Sequence, residues 1–477
     1  MLCRILGCCL SLLFCINPGS ASAEIITTSD DQQSISLTIY NSNLALIRDT
    51  RKIKLPKGEQ TLAFKEISSQ IQPETALLKG GSVDVLEQNY EFDLLSPDSL
   101  LRKYVGKEIT LVRTKGDDDE EYRVKAKVLS VAGGVVLQID DHIETTVAGR
   151  IIYPDVPDNL RERPTLTMVV ENTSSTEQEL ELSYLTGGLS WKADYVATLN
   201  KNDDRIDLKG WVTLINNSGS SYEKAKLQLV AGDVHRAPVA RDIMPMAAEM
   251  SRTMVDGARK NMEQESLFEY HLYSVARPTT ILQNQSKQIA LLQENNGIVT
   301  KELVLRSNNQ NYYYAKVGEI EKKVGVGVYL KIRNDKASNF GLPKPAGTVR
   351  VYKEDGSGFS QFIGEDTIDH TPENEIIKIN LGKAFDVTAD RVQTDFSIIR
   401  GADKNQRIHE SAYAITIKNA KPEDVEVRVE EKIPGDWQIL SESEQHTKKD
   451  AITASWLMKV KAKGSATLRY RVRQVMN

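Results

Sequence analysis

The sequence predicts a mainly β fold: multi-domain, built of antiparallel β-sandwiches of the immunoglobulin-like kind, with a small SH3- or Sm-like barrel inserted and few short helices. Three observations carry this expectation. Apolar and polar residues alternate with period two in segment after segment, as in Ile35, Leu37 and Ile39 or Tyr413, Ile415 and Ile417. Glycine, proline, asparagine and aspartate punctuate these segments at short intervals. The clearest helix start, Ser96 as N-cap before Pro97, opens only a short segment that Gly106 closes.

Residues 1–23 read as a secretory leader. Arg4 precedes the apolar stretch Ile5 to Ile16, and Ala21-Ser22-Ala23 offers small residues to a signal peptidase, so cleavage is expected after Ala23. The apolar run is shorter than the roughly 20 residues of a membrane-spanning helix. Ile5-Leu6-Gly7-Cys8 offers lipid attachment as an alternative, but it stands ahead of the apolar core. Cys3, Cys8, Cys9 and Cys15 all lie in this leader, so the mature chain is expected to carry neither thiol nor disulfide. Removing Arg4 from 61 basic residues leaves 60 against 66 acidic ones, a net charge of −6, which argues against a nucleic-acid binder. The expected location is the periplasm or cell envelope of a Gram-negative bacterium, with no membrane span in the mature chain.

Residues 24–100 form an N-terminal β region, in which Ser34 to Tyr40 and Thr61 to Phe64 are strands and Pro56-Lys57-Gly58 a turn. Leu100, Leu101 and Tyr104 share the apolar side of the short helix. Residues 101–156 form the small barrel: short strands separated by turns at Gly116 to Glu121, Gly133-Gly134 and Asp140-Asp141. The acidic tip Asp117-Asp118-Asp119-Glu120-Glu121 reads as a solvated hairpin end; it lacks the glycine and distant glutamate of a calcium loop. Residues 157–235 form a central sandwich with strands at Leu166 to Val170, Leu180 to Tyr184, Trp191 to Leu199, Ile206 to Leu214 and Tyr222 to Val230. Gly210 leaves room for a cross-strand ring or marks a bulge. Trp191 and Trp211 are expected as core or intersheet anchors, the alternative being a sugar-stacking platform. Trp211 falls out of phase with its aliphatic neighbours.

The run Leu182 to Tyr195, with Gly187-Gly188-Leu189-Ser190-Trp191, then Gly210-Trp211-Val212, Asn217-Ser218-Gly219 and Leu229 to Val234, resembles a bacterial domain of unknown function shared with mucoidy-inhibitor-A-like proteins. Tyr40-Asn41, Leu44-Ala45-Leu46, Gln72-Pro73-Glu74-Thr75, Arg277-Pro278-Thr279-Thr280 and Leu342-Pro343 extend the resemblance over most of the mature chain. No sustained heptad run occurs, so the chain looks like a shorter relative without the coiled coil. The resemblance implies an exported protein and carries over no catalytic residue.

Residues 236–266 form a Met-rich loop, with Met246, Met250 and Met254 at helical spacing. A mobile loop or packed helix is the plainer reading, a partner-binding or copper(I) surface the sharper one. Residues 267–383 make a second β region in which Leu342 to Gly347 is a stiff connector. Residues 384–477 make the immunoglobulin-like sandwich without its disulfide, with Arg469, Arg471 and Arg473 as a basic outer stripe.

No HExxH, phosphate loop, nucleophile elbow or dinucleotide fingerprint occurs. His409-Glu410 lacks a second histidine, and Asp233-Val234-His235 is no stronger. Glu365-Asp366-Thr367-Ile368-Asp369-His370, with Glu373 and Glu375, is the best polar cluster, able in principle to hold a metal or a His370–Asp369 base. The sequence thus assigns no catalytic, cofactor-binding or metal residue. It predicts a non-catalytic envelope protein that presents β surfaces to a protein or polysaccharide partner. The alternative is a periplasmic glycan hydrolase, metal-assisted or carboxylate-based, using Asp366, Asp369 and His370.

Overall fold

A computed structural model describes residues 24–91, 95–115, 120–157, 160–232, 234–235, 262–267, 270–307, 312–400 and 407–476. Strands dominate, and the one α-helix among the described residues is Pro97–Lys103.

Three sheets enclose the larger core. The first runs Ile25–Thr27, Gly58–Lys65, Thr165–Asn172, Val83–Glu91; the second runs Met262–Leu267, Tyr270–Val275, Tyr222–Ala231, Gln32–Tyr40, Leu44–Lys54, Glu177–Thr186, Leu77–Lys79. The third begins Ser360–Ile368, Gly347–Glu354, Leu189–Leu199, Arg205–Asn216 and continues through Gln285–Arg306 into the C-terminal module. Alternation in the sequence decides which face turns inward. Leu37 and Ile39, Leu180 and Leu182, and Tyr195 and Ala197 are fully buried, all in one cluster that draws residues from 35 to 379. Most strand pairings are antiparallel, but among the described strands four pairings are parallel. The longest-range of these sets Lys226–Val230 beside Ser36–Tyr40. Arg51 pins the N-terminal strand to this core: its buried guanidinium pairs with Asp49 at 2.8 Å and donates to the Thr27 and Lys65 carbonyls.

The small unit interrupts a ladder. Val83–Glu91 and Thr165–Asn172 pair with each other up to Glu91 opposite Thr165, and the intervening chain leaves and returns at that end. At the neck Leu95 donates to the Arg161 carbonyl, and the Arg161 side chain joins Glu24 to Glu91. Five strands then follow in the order His142–Glu144, Val136–Ile139, Glu120–Ser130, Glu108–Lys115, Arg150–Ile152. This corrects the expected barrel, because the sheet curls around its core without closing. Its two edge strands have only three residues each, too few to complete a ladder; Arg113 spans the gap instead, donating to Glu144 and to the Ala148 carbonyl. The helix covers one side as expected, with Ser96 Oγ accepting from Ser99 N and Tyr104 buried.

The C-terminal module has its own core. Tyr413, Ile415 and Ile417 face Val427, Val429, Trp456, Leu468 and Val472, the alternating residues expected to do so. Within this core rings stack: Trp456 on Tyr470 at 4.9 Å and Tyr470 on Tyr413 at 5.3 Å. Between the sheets lies an ion pair, Arg391 to Glu431 at 2.6 Å, with the Tyr312 and Tyr470 hydroxyls donating to the same carboxylate oxygen. Gln285–Arg306, Gly318–Arg333 and Ile376–Arg400 are long enough to contribute to both cores.

Candidate functional site

The motifs of the central region meet in a knot of turns. Gly188 adopts φ +78°, and a Cβ there would stand 2.5 Å from Ser218 Cα, so the turn needs glycine both for its angle and for this approach. Asn217 N donates to the Gly188 carbonyl at 2.6 Å and Gly188 N to Asn43 Oδ1 at 3.0 Å. Ser68 and Ser69 both donate to the Ser218 carbonyl, while Ser218 Oγ meets Asn216 Oδ1 and the Tyr222 hydroxyl. Gln72 N reaches the Leu185 carbonyl, and Leu185 N reaches Thr75 Oγ1. Each of these polar groups finds a protein partner, and the knot's work is to lock distant segments together.

The two tryptophans separate. Trp191 is buried, its Nε1 donating to the Val230 carbonyl. Trp211 sits on the opposite face, 37 % exposed, which corrects its expected role as an anchor; its phase in the strand had pointed outward. Gly210 does both things foreseen for it: the ladder bulges between Gly210 and Trp211, and a Cβ would press the Tyr195 ring at 3.1 Å. Trp191→Ala is expected to cost about 3–5 kcal/mol, and Trp211→Ala under about 1 kcal/mol, measured by denaturant unfolding. Comparable losses would contradict this placement.

Beside Trp211, Asp194 accepts from Thr213 Oγ1 at 2.7 Å and pairs with Arg350 at 3.1 Å. Burial raises its pKa, but these two hydrogen bonds outweigh burial and hold it below the ordinary aspartate range. A depressed carboxylate stabilises the fold above its unfolded pKa, about 3.9, and that stabilisation is lost as pH falls through the lower folded value. Asp194→Asn is therefore expected to flatten the acid limb of a stability-versus-pH curve below about pH 5. An unchanged limb would refute the assignment.

The junction between the two cores holds a feature that sequence reasoning missed. Pairing between Gly318–Arg333 and Ile376–Arg400 breaks there: Gly327 faces Lys383 and Gly325 faces Thr388, so residues 384–387 bulge from this ladder, with Phe385 turned out and Val387 buried in the C-terminal core. Phe385, on that bulge, is 95 % exposed. Next to it opens a cavity of about 270 Å³, walled by Val304, Arg306, Tyr329, Asn380 and Lys383 and floored by Gly325 and Gly327. Arg306 is fixed by Glu430 at 3.1 Å and by donation to the Tyr329 hydroxyl at 2.9 Å. The Val-Gly-Val-Gly-Val run at 324–328 was the available signal, since glycine at alternate positions strips one face of a strand.

The family-model comparison matches residues 180–475 to a domain of unknown function, DUF4139. The chain belongs to this family. No curated protein matches the chain. The DUF4139 region contains the whole junction cavity but only half of the knot, because Asn43 and Ser68 to Thr75 lie outside it.

Within the DUF4139 region the expected polar cluster does not gather. Asp366 accepts from Asn380 N at 2.7 Å and from Thr367 N, and His370 Nδ1 accepts from Ala346 N at 3.2 Å, so both hold backbone in place. Among the described residues no three histidine, cysteine or carboxylate side chains converge as a metal site. His409 is buried against the Phe396 ring, while Glu410 pairs with Arg473. Arg471 pairs with Asp395, so the basic stripe is largely neutralised. Lys344, unremarked in the sequence, is buried in the Pro343–Pro345 connector, its Nζ bound to Glu294, Asn334 and the Leu342 carbonyl. Burial lowers its pKa, and Glu294 opposes that. Outside the region, Glu121 pairs with Arg150. Asp117 to Asp119, Asp233 and the Met-rich residues Met244 to Met254 lie outside the described residues.

Proposed function

We propose that the protein is exported to the envelope of a Gram-negative bacterium, is related there to the mucoidy-inhibitor-A-like proteins, and acts by binding a protein or polysaccharide partner rather than by catalysis. The observation that supports this most is the aromatic exposure at the core junction. Phe385 meets water at 95 % on the bulge, the kind of exposure that binding surfaces use as an anchor; Phe359 at 69 % and Phe362 at 55 % are exposed on the hairpin of Ser360–Ile368, where the Phe362 ring meets Tyr352 at 5.7 Å. Asp366 meets Asn380 N, and a Cβ on Gly364 would lie 3.2 Å from Leu381 Cα, so the Gly364 face of Ser360–Ile368 turns toward Ile376–Arg400. Phe362 takes the other face, because the ladder with Gly347–Glu354 shifts register there, with Val351 opposite Gly364 and Tyr352 opposite Phe362, so Phe385 alone marks the junction side.

The test is a photoreactive phenylalanine at position 385 of the full chain in living cells, read alongside the mass of the protein recovered from the periplasmic fraction. A mature N-terminus at Glu24 and one reproducible adduct, absent when the probe stands at the remote Lys125, are expected. Retention of the leader in the cytoplasm would defeat the export reading, and absence of any adduct would defeat the binding face.

A further inference from the structure

We infer that the junction cavity receives the carboxylate of an acidic residue, flanked by apolar residues, on a protein partner; this rests on the reading of the Phe385 face as a binding surface. Three donors point to an anion. Arg306 spends Nε on Glu430 and Nη1 on Tyr329, leaving Nη2 with no protein partner among the described residues. Lys383 has no carboxylate partner there either, and its stem is held against Gly325, where a Cβ would approach it to 3.0 Å. Asn380 Oδ1 accepts from Gly382 N at 2.9 Å, which fixes the amide and leaves Nδ2 as a donor. Two cations and an amide lining one cavity match a carboxylate better than a neutral group, because charge-assisted hydrogen bonds are about twice as strong as neutral ones.

Of the acidic groups nearby, two are already engaged, while Asp386 on the bulge is solvent-exposed. Glu430 is shared between Arg306 and Lys449, and Asp366 accepts from Asn380 N. Side chains at positions 325 and 327 would fill the space: a Cβ on Gly327 would come within 2.8 Å of the Tyr329 ring. The rim favours protein over sugar acid. Phenylalanine brings no hydrogen-bonding edge, whereas Phe385 offers apolar area that leucine, valine or aromatic side chains of a peptide cover.

The probe is N-acetylglutamate, titrated into the mature protein while the Arg306 Nε–Hε resonance is followed. Its neutral isostere N-acetylglutamine and the sugar acid glucuronate serve as comparisons. N-acetylglutamate is expected to shift the resonance saturably with a Kd on the order of 1–10 mM, and N-acetylglutamine to leave it in place. Lys383→Gln should raise that Kd at least about fivefold without changing the melting temperature, and Lys125→Gln should leave it unaltered. No shift with either carboxylate overturns the inference, and glucuronate binding more than about tenfold tighter overturns the protein assignment in favour of a polysaccharide. An adduct from position 385 with a flat titration sinks the cavity inference alone and leaves the binding face standing. A saturable titration with no protein adduct from position 385 sinks both, reducing the cavity to a small-anion pocket.

Discussion

A chain reduced to residues 180–475, the extent of the DUF4139 match, will leave its larger core molten. Amide exchange is the measurement: Tyr195, Leu208 and Val212 are expected to exchange as in an unfolded chain, while Ile415 and Trp456 in the C-terminal core stay protected. The reason lies in what the match omits. Glu177–Thr186 is paired on one side by Leu44–Lys54 and on the other by Leu77–Lys79, and Tyr222–Ala231 lies parallel to Gln32–Tyr40. Leu37, Ile39, Ile47, Leu62, Phe64 and Leu166, all fully buried, come from outside the match. At about 2 kcal/mol for each buried side chain, their loss is about 12 kcal/mol, as large as the whole stability of a typical domain at about 5–15 kcal/mol. Adding residues 24–179 as a separate chain should restore protection. Native-like exchange at Leu208 in the fragment alone would disprove this dependence.

Glu431→Gln should destabilise the C-terminal module by about 3–5 kcal/mol, seen as a lower denaturant midpoint for that module's unfolding. Arg391 and Glu431 are 1 % exposed or less, so removing this carboxylate's charge leaves the buried guanidinium with only Glu321, 3.0 Å from its Nε, as an anionic partner. The Tyr312 and Tyr470 hydroxyls lose the charged acceptor they share. Replacing both charges, Arg391→Met with Glu431→Leu, should recover most of the loss, because apolar side chains carry no desolvation cost. If the single substitution costs less than about 1 kcal/mol, the pair is not confined as described.

Strand identity was legible where period two writes itself into the residues: Ile35-Leu37-Ile39 and Tyr413-Ile415-Ile417 bury the faces their spacing implies, whereas the end of the expected Met-rich loop, Met262–Leu267, proves to be a strand paired with Tyr270–Val275. Pairing was less so. Nothing local to Ser36–Tyr40 announces a parallel partner near residue 228, a contact fixed only when the whole core closes. The outward phase of Trp211 was visible, and size alone had argued for burial. The junction cavity escaped because each of its strands reads as ordinary; the break arises from two registers joined by a bulge at residues 384–387. The cluster around Asp366 and His370 failed for the opposite reason, since nearness in sequence placed side chains on alternate faces and along a turn.

The strands shared by the two cores give the molecule the character of a beam. Gln285–Arg306 runs through 22 residues, interrupted by two bulges, one at Asn296 with φ +54°, for up to roughly 70 Å of chain at about 3.3 Å per residue. Its ladders with Arg205–Asn216 and Gly318–Arg333 run lengthwise, so a pull along it loads many hydrogen bonds in shear at once. A load peeling away the short edge strand Thr447–Asp450 would break them one after another. Tension applied at the Phe385 face therefore reaches the larger core through continuous backbone, with no linker between to stretch.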